Sequence, residues 1–386
     1  MTEKLYWQDE YETKFTATIK QVKRNGVILD KTLFYPESGN QSSDHGYIKI
    51  NETKIEVSNV SKEGEEIIHH LSHDSLQNIK VGDIVYGEID WDYRYGLMKA
   101  HSSQHIFSAI LKRKYDIDTI RAIINFEDVY IQMSQLLEYN QLRNILYEVN
   151  AMCTSINFRL NSKLLSFEEA KKVKNEIRSA IPNESQIRLV GIGDIDLVCC
   201  GGTHVRNTTE IGFTFIYNFK KETEFRYVVG NKALQMHSQN NIDNLAIAND
   251  LNIALDQLKD IIKKRLETMK TLNEQQKDIS IKLLESIAKT PLKIVKNISL
   301  FFIDFNIDIK ILNKCLENFP LNSLIIVNMG GSKIRLVSLS KEVNANYLTQ
   351  GLIKQYGGKG GGNPKSAQVS LEKMPINIIA DIEDLI

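Results

Sequence analysis

The sequence predicts an α+β multidomain chain. We expect a small β-barrel over residues 1–90, a mixed α/β domain over 91–238, a long helical spacer over 239–290 and an α/β domain over 291–386 with a glycine-rich motif. Three observations carry this reading. At 386 residues the chain exceeds the size at which one hydrophobic core keeps growing. Glycine and proline vanish between 241 and 287, where leucine and isoleucine recur at helical steps. On both sides of that stretch short strand-like runs return, broken by turn-forming residues.

The first ninety residues hold the runs TATIKQV, YIKI and KIEVSNV, separated by turn-rich stretches at 36–46 and 62–66. Over 93–114 the spacing becomes helical, with Leu97, Met98, His101, His105, Ala109 and Ile110 on one stripe. Further helices are expected at 135–152 and 166–177. Strands are expected in IRLVGIG, at 214–217 and at 225–229, which gives the domain an antiparallel sheet. Leu251, Leu255, Leu258, Ile262, Leu266, Met269 and Leu272 then follow a near-heptad. That pattern suits a coiled coil or spacer, and also a helix packed on its own domain. The last hundred residues alternate ISLFFIDF, SLIIVNM and KIRLVSLS with helices near 309–316 and 344–356, and carry GGKGGG at 357–362.

Lysine plus arginine equals aspartate plus glutamate at 48 each, so net charge gives no case for nucleic-acid binding and only a local basic face could supply one. No apolar run is long enough to span a bilayer, and the charged N-terminus does not read as a secretory leader, so a cytoplasmic protein with no membrane partner is expected. Four cysteines, irregularly spaced, point to metal ligation or burial rather than a disulfide framework.

His101 and His105 sit four residues apart on the expected helix, which sets both imidazoles on one face. No glutamate follows the first histidine, so the protease pattern with a built-in base is absent. Downstream stands Cys200-Gly201-Gly202-Thr203-His204, with the same spacing but two glycines that favour a tight turn over a helix. Together the half-sites offer His, His, Cys and His, a nitrogen and sulfur set suited to one zinc ion per chain. A closed set of four and a catalytic set of three with an open position both suit these spacings.

These residues resemble a known family. HSSQH followed by IFSAIL is similar to the HxxxH helix of the editing domain shared by alanyl- and threonyl-tRNA synthetases and AlaX proteins, and CGGTHV followed by RNTTEIG to its second motif. FRYVVGNKAL looks like the closing strand and turn. FYPESGNQSSDHG resembles the glycine-rich motif of the alanine-type N-terminal barrel; Gln41 and Asp44 match it, whereas Ser38 and Asn40 replace glycines. GGKGGGNPKSAQ resembles the C-terminal domain of alanyl-tRNA synthetase, with Val369 and Ser370 in place of the usual glycines. The whole resembles the long form of AlaX.

The resemblance implies a trans-editing deacylase that hydrolyses the ester of tRNA(Ala) mischarged with serine or glycine at zinc. There is no room before the barrel motif for an aminoacylation core, so the chain is expected to hydrolyse rather than ligate. Thr203 and the backbone of Gly201 and Gly202 are the candidates to steady the developing oxyanion; a turn that merely aims Cys200 and His204 is the alternative. Gln41, Arg226, Lys359, Gly360 and Gly361 are the candidate tRNA contacts, and the spacer with the last domain is a candidate for homodimerisation. The rivals are an editing deacylase for another mischarged tRNA and a non-catalytic RNA-binding protein with structural zinc.

Overall fold

The computed structural model describes residues 2–50, 53–77, 79–373 and 375–386. The chain divides into two compact units, Met1–Ile247 and Ala248–Ile386, each mixed α/β with its own sheets.

Besides a two-residue parallel pair of Glu3–Lys4 with Lys31–Thr32, the first part of this unit builds one seven-stranded sheet: β1 (Lys14–Lys23), β2 (Gly26–Leu29), β3 (Gly46–Ile50), β4 (Thr53–Val57), β5 (Asn59–Glu63), β6 (Glu66–His70) and β7 (Ile84–Ile89). Their order across the sheet is β4-β3-β7-β1-β2-β6-β5. The two outermost strands are consecutive in sequence, separated only by Ser58, so the sheet curls round to bring them to one corner. No ladder joins β4 to β5 among the described residues. Alternation drives the curl inward: Phe15, Ala17 and Ile19 of β1, Ile48 and Ile50 of β3, and Val85 and Ile89 of β7 share a core with Phe34 and Tyr35.

Helix α1 (Trp91–Tyr115) follows directly. The Asp90 side chain caps it by accepting from the Tyr93 amide, and Asp116, left-handed at φ 54°, ends it after Lys112, Arg113 and Lys114. Where the sequence suggested one apolar stripe, the helix is buried on all sides from Met98 to Leu111 apart from Lys99. One side packs on a four-stranded antiparallel sheet of β8 (Thr119–Asn125), β9 (Asp128–Met133), β13 (Thr214–Lys220) and β14 (Glu224–Val229), ordered β8-β9-β14-β13. There Phe107 meets Phe225 and Tyr227, with ring centroids 5.4 and 4.4 Å away. Serines survive burial by bonding locally, as Ser103 Oγ does to the Ala100 carbonyl at 2.7 Å. Between these pairs of strands the chain forms α2 (Tyr139–Thr154), then β10 (Leu160–Ser166), a short α3 (Phe167–Lys172), β11 (Gln186–Ile192) and β12 (Asp196–Cys199), whose strands make a separate antiparallel sheet.

The expected single spacer is interrupted. Helix α4 (Gly230–Asp250) stops, Asn252 turns left-handed at φ 52°, and α5 (Leu258–Ile287) starts after a 3-10 turn at Leu255–Gln257. Leu251 and Leu255 of the near-heptad therefore fall in the break. Along α5, Ile262, Leu266, Met269 and Leu272 are exposed, and only the far end, at Leu284 with the following Ala288, enters a core, with Phe301, Leu312 and Cys315. Packing on its own unit thus accounts for the end of the helix and not for its apolar stripe.

The second unit is built on a six-stranded sheet of β15 (Lys293–Val295), β16 (Ile298–Ile303), β17 (Ser323–Asn328), β18 (Lys333–Ser338), β19 (Lys359–Gly362) and β20 (Ser366–Ser370), ordered β15-β16-β17-β18-β20-β19. Helices α6 (Ile309–Cys315), α7 (Ala345–Tyr356) and α8 (Ile378–Leu385) complete it. The glycine cluster begins at Gly357, which caps α7, and runs on into edge strand β19. An added Cβ at Gly360 or Gly362 would lie 2.3 Å from the Gln368 or Ser366 carbonyl, so β20 approaches closer than any side chain allows.

Candidate metal centre

His101, His105, Cys200 and His204 come together, with all their ligand atoms within 4.8 Å of one another. Two half-sites a hundred residues apart meet because α1 lies beneath the turn that leaves β12. Cys200 Sγ is 3.4 Å from His101 Nε2 and 3.3 Å from His204 Nε2. Ligand atoms about 2.0–2.3 Å from a tetrahedral ion sit roughly 3.3–3.7 Å apart, so these separations suit one ion. Among the described residues both ring nitrogens of His105 are buried without a hydrogen-bond partner. A metal ion is a partner that one of these nitrogens could take, acting as its ligand. The donor set therefore fits a metal ion.

Burial holds all three imidazoles in the neutral, ligating form. Desolvation pushes His101 and His204 well below the ordinary value, helped by their histidine neighbours, which disfavour a second proton in the cluster, and then by Arg188; it pushes His105 down to about 3, helped by Arg178 and Arg188. Burial pushes the Cys200 thiol up, opposed by the Gly202 amide and by Arg188. Cys199 stays outside the cluster, and its amide donates to Ser179 Oγ.

The ring orientations are fixed from behind. His101 Nδ1 donates to Gln41 Oε1 at 2.6 Å and His204 Nδ1 faces Ser102 Oγ at 3.3 Å, which turns both Nε2 atoms to the sulfur. Behind His105, Asp196 Oδ2 lies 3.8 Å from Nδ1 and is itself gripped by Arg178 through two bonds of 2.7 Å. The turn after β12 is held at three successive carbonyls: Arg188 donates to those of Cys200 and Gly202, and Trp7 Nε1 to that of Gly201 at 2.8 Å. An added Cβ on Gly202 would come within 2.2 Å of the His101 ring, so glycine is required there for space.

Gln41, expected to touch tRNA, lies behind the cluster. It is 0 % exposed; its Oε1 also accepts from the Thr203 amide, and its Nε2 donates to Thr203 Oγ1. A tight turn puts it there. Ser38 and Gln41 bond each other's backbones across Gly39 and Asn40, both left-handed at φ 57° and 67°, and the loop then pairs with Ile124 of β8. Asp44 of the same loop forms a fully buried ion pair with Arg94 of α1, which also donates to the carbonyls of Glu10 and Leu33. The loop from the first sheet is thus bolted to the helix that carries two candidate ligands.

The three expected oxyanion donors separate. The Gly202 amide donates to Cys200 Sγ and the Thr203 amide to Gln41, whereas Gly201 is exposed and its amide has no partner among the described residues. Arg226 lies on β14 between Phe225 and Tyr227, which face the core with α1. Its own side chain is on the opposite face, over Tyr130 and 3.5 Å from Asp128, and not among the cluster residues. Lys359, Gly360 and Gly361 belong to the second unit, on β19. Sequence reasoning missed Arg188, Arg94, Trp7, Ser102 and Asp196; the one local hint was a charged residue inside the apolar run IRLVGI.

Residues 6–93 match the model of the class II (A) tRNA synthetases, and residues 187–224 that of the threonyl and alanyl tRNA synthetase second additional domain. The chain is 29 % identical to the alanyl-tRNA editing protein AlaX-L of Pyrococcus horikoshii, over 98 % of this chain and 96 % of that protein. It is 27 % identical to the alanine–tRNA ligase of Sulfurisphaera tokodaii over its full length but only 44 % of the ligase. A ligase of Saccharolobus islandicus is 35 % identical over 57 % of this chain and 25 % of its own. The chain thus spans nearly all of the editing protein and under half of either ligase. No described helix is long and apolar enough to cross a membrane.

Proposed function

We propose that this chain is an alanyl-tRNA editing protein of the AlaX type, and that it hydrolyses the ester of tRNA(Ala) mischarged with serine, and with glycine, in the cytoplasm. The observation that carries the reading is the buried cluster of three neutral histidines and one cysteine beside an open amide. We assign the cluster one zinc ion, since the set is nitrogen and sulfur in a four-ligand arrangement. When bound, zinc supplies Lewis acidity towards the ester carbonyl or an attacking water.

The chain's own residues do the rest. Gln41 and Ser102 keep His101 and His204 as Nε2 ligands, and Arg188 and Trp7 hold the turn rigid. Among the described residues of the turn, Gly201 presents a free N–H, and we assign it, in place of Gly202 and Thr203, to the carbonyl oxygen as negative charge develops. The curled sheet of the first ninety residues serves as a barrel-like domain that delivers the Gln41 loop to the zinc domain over 91–238. Arg226 on its sheet face, and Lys359 with the bare backbone of Gly360 and Gly361, are proposed contacts to the tRNA backbone. The exposed stripe of α5 supports self-association.

A panel of tRNAs charged with serine, glycine, alanine or threonine, incubated with the metal-loaded protein, tests the function. Release of serine and glycine from tRNA(Ala), with alanine left in place, is the expected result. Hydrolysis confined to another tRNA would reassign the substrate, and no hydrolysis of any would leave a binding protein.

A further inference from the structure

We propose that a cleft of about 280 Å³ between the first sheet and the turn after β12 receives the 3′-terminal nucleotide of the tRNA, its phosphate held by Lys4 and Lys62 and its base against Trp7. The inference rests on the deacylase reading and adds the place where the end of the polynucleotide sits.

The cleft is the right neighbour. Cys200 and Gly201 form part of its wall, so whatever fills it lies against the metal centre and the free amide. A second, larger cleft opens beside Asp196, but none of the four ligands lines it, and its cations are already matched: Arg178 with Asp196, Lys112 with Asp116 and Asp118, Arg113 with Glu148. In the first cleft the two lysines are unmatched. Neither Lys4 nor Lys62 forms an ion pair among the described residues, although Glu65 and Glu184 are near enough to act on Lys4. Burial first, and then Lys62, hold the Lys4 ammonium below its ordinary value. Lys4, which is half-buried, and Lys62 share the cleft with Glu184, which among the described residues is ion-paired to neither, so the wall carries an excess of positive charge that an entering anion relieves.

The rest of the wall suits a nucleoside. Trp7 and Tyr35 offer aromatic surface, Pro36 and Ile187 apolar surface, and Ser38 and Gln186 polar edges. Trp7 is not free to swing: its indole N–H is tied to the Gly201 carbonyl and the Lys4 ammonium lies 4.0 Å from its ring centre. The residue that shapes the cleft thus also holds the carbonyl of Gly201, the residue whose own N–H is assigned to the ester.

The test uses the full chain with its metal and two probes, adenosine 5′-monophosphate and adenosine, followed by quenching of Trp7 fluorescence with the other tryptophan removed by Trp91→Phe. The monophosphate is expected to bind several-fold more tightly than adenosine. Lys4→Gln with Lys62→Gln should erase that difference, raise KM for deacylation several-fold at unchanged kcat, and lower the salt slope of tRNA binding by about 0.7, the value for one single-strand phosphate no longer neutralised. Lys4→Arg with Lys62→Arg should restore all three, which separates charge from folding. Equal affinity for the two probes, no quenching by either, or an unchanged KM and salt slope in the glutamine variant overturns the proposal. A protein that binds the monophosphate as expected yet releases no amino acid from any tRNA would overturn the deacylase reading and leave the cleft assignment standing.

Discussion

Gly202→Ala is the sharpest perturbation of the centre, because it adds one methyl group and removes nothing. The glycine's φ lies outside the left-handed region, so alanine is tolerated by the backbone and the effect is purely one of space. Its Cβ would meet His101 Cε1 at 2.2 Å, Nδ1 at 2.4 Å and Gln41 Oε1 at 2.7 Å. The imidazole must withdraw about 1 Å, against the roughly 0.2 Å that metal–ligand bonds tolerate. Withdrawal also breaks the 2.6 Å bond to Gln41, and losing an outer-sphere partner alone costs about 10–100-fold in metal affinity. A loss of at least ~100-fold is expected, with about 1–3 kcal/mol of overpacking in the metal-free protein. The control is Gly201→Ala, whose nearest neighbour is Trp7 at an ordinary 3.7 Å. Competition with a chromophoric chelator reads the affinity, and thermal unfolding of the metal-free proteins reads the packing cost. Metal affinity in Gly202→Ala equal to that of Gly201→Ala would refute the reasoning.

Four further outcomes are expected. Cys199→Ala should keep the metal and Cys200→Ser lose most of it, as measured by elemental analysis of the purified proteins; the reverse would put the register out by one. Arg94→Ala strands the Asp44 carboxylate in the core and should cost about 3–5 kcal/mol in urea unfolding, more than a surface charge could. His69, fully buried with one nitrogen on Thr32 Oγ1 and the other on the Val27 carbonyl, is pushed down to about 4 by desolvation. The unfolded chain then takes up a proton near pH 6.5 that the folded chain refuses, so stability falls as pH drops from about 6.5 to about 4, by ~1.4 kcal/mol per unit at most. An imidazole resonance of His69 that titrates above pH 6 would contradict this. Finally, a chain ending at Ile247 should fold and hold its metal, since all four ligands and their supports precede that point. Its KM should rise far more than its kcat falls, and a metal-free or aggregated product would show that the first unit does not stand alone.

The cluster of four was legible because both of its halves are local patterns: spacing of four on a helix, and spacing of four on a glycine turn. What supports them was not. Gln41 lies sixty residues from His101, and nothing in the turn chemistry of Ser38-Gly39-Asn40 says that the side chain after two left-handed residues points inward to an imidazole rather than outward to a ligand. Arg188 reads as a solvated charge until the Cys200 and Gly202 carbonyls are seen above it. The α5 stripe was visible as periodicity, but periodicity is blind to Asn252, a residue type that enters the left-handed region without a glycine to announce it. Burial on every side of α1 escaped for a related reason, since Ser102, Ser103 and Ser108 look polar while their hydroxyls are satisfied within the fold.

The bond from Gln41 to His101 would make the first sheet and an ion held by the cluster effectors of each other. Whatever affinity the amide lends to the imidazole must be returned, by thermodynamic reciprocity, as a tighter hold on the segment that carries the amide. Chelation would then be felt far from the ligands, as faster proteolysis and amide exchange in the strands that flank the loop. Occupancy of the centre and attachment of the N-terminal sheet would rise and fall as one equilibrium.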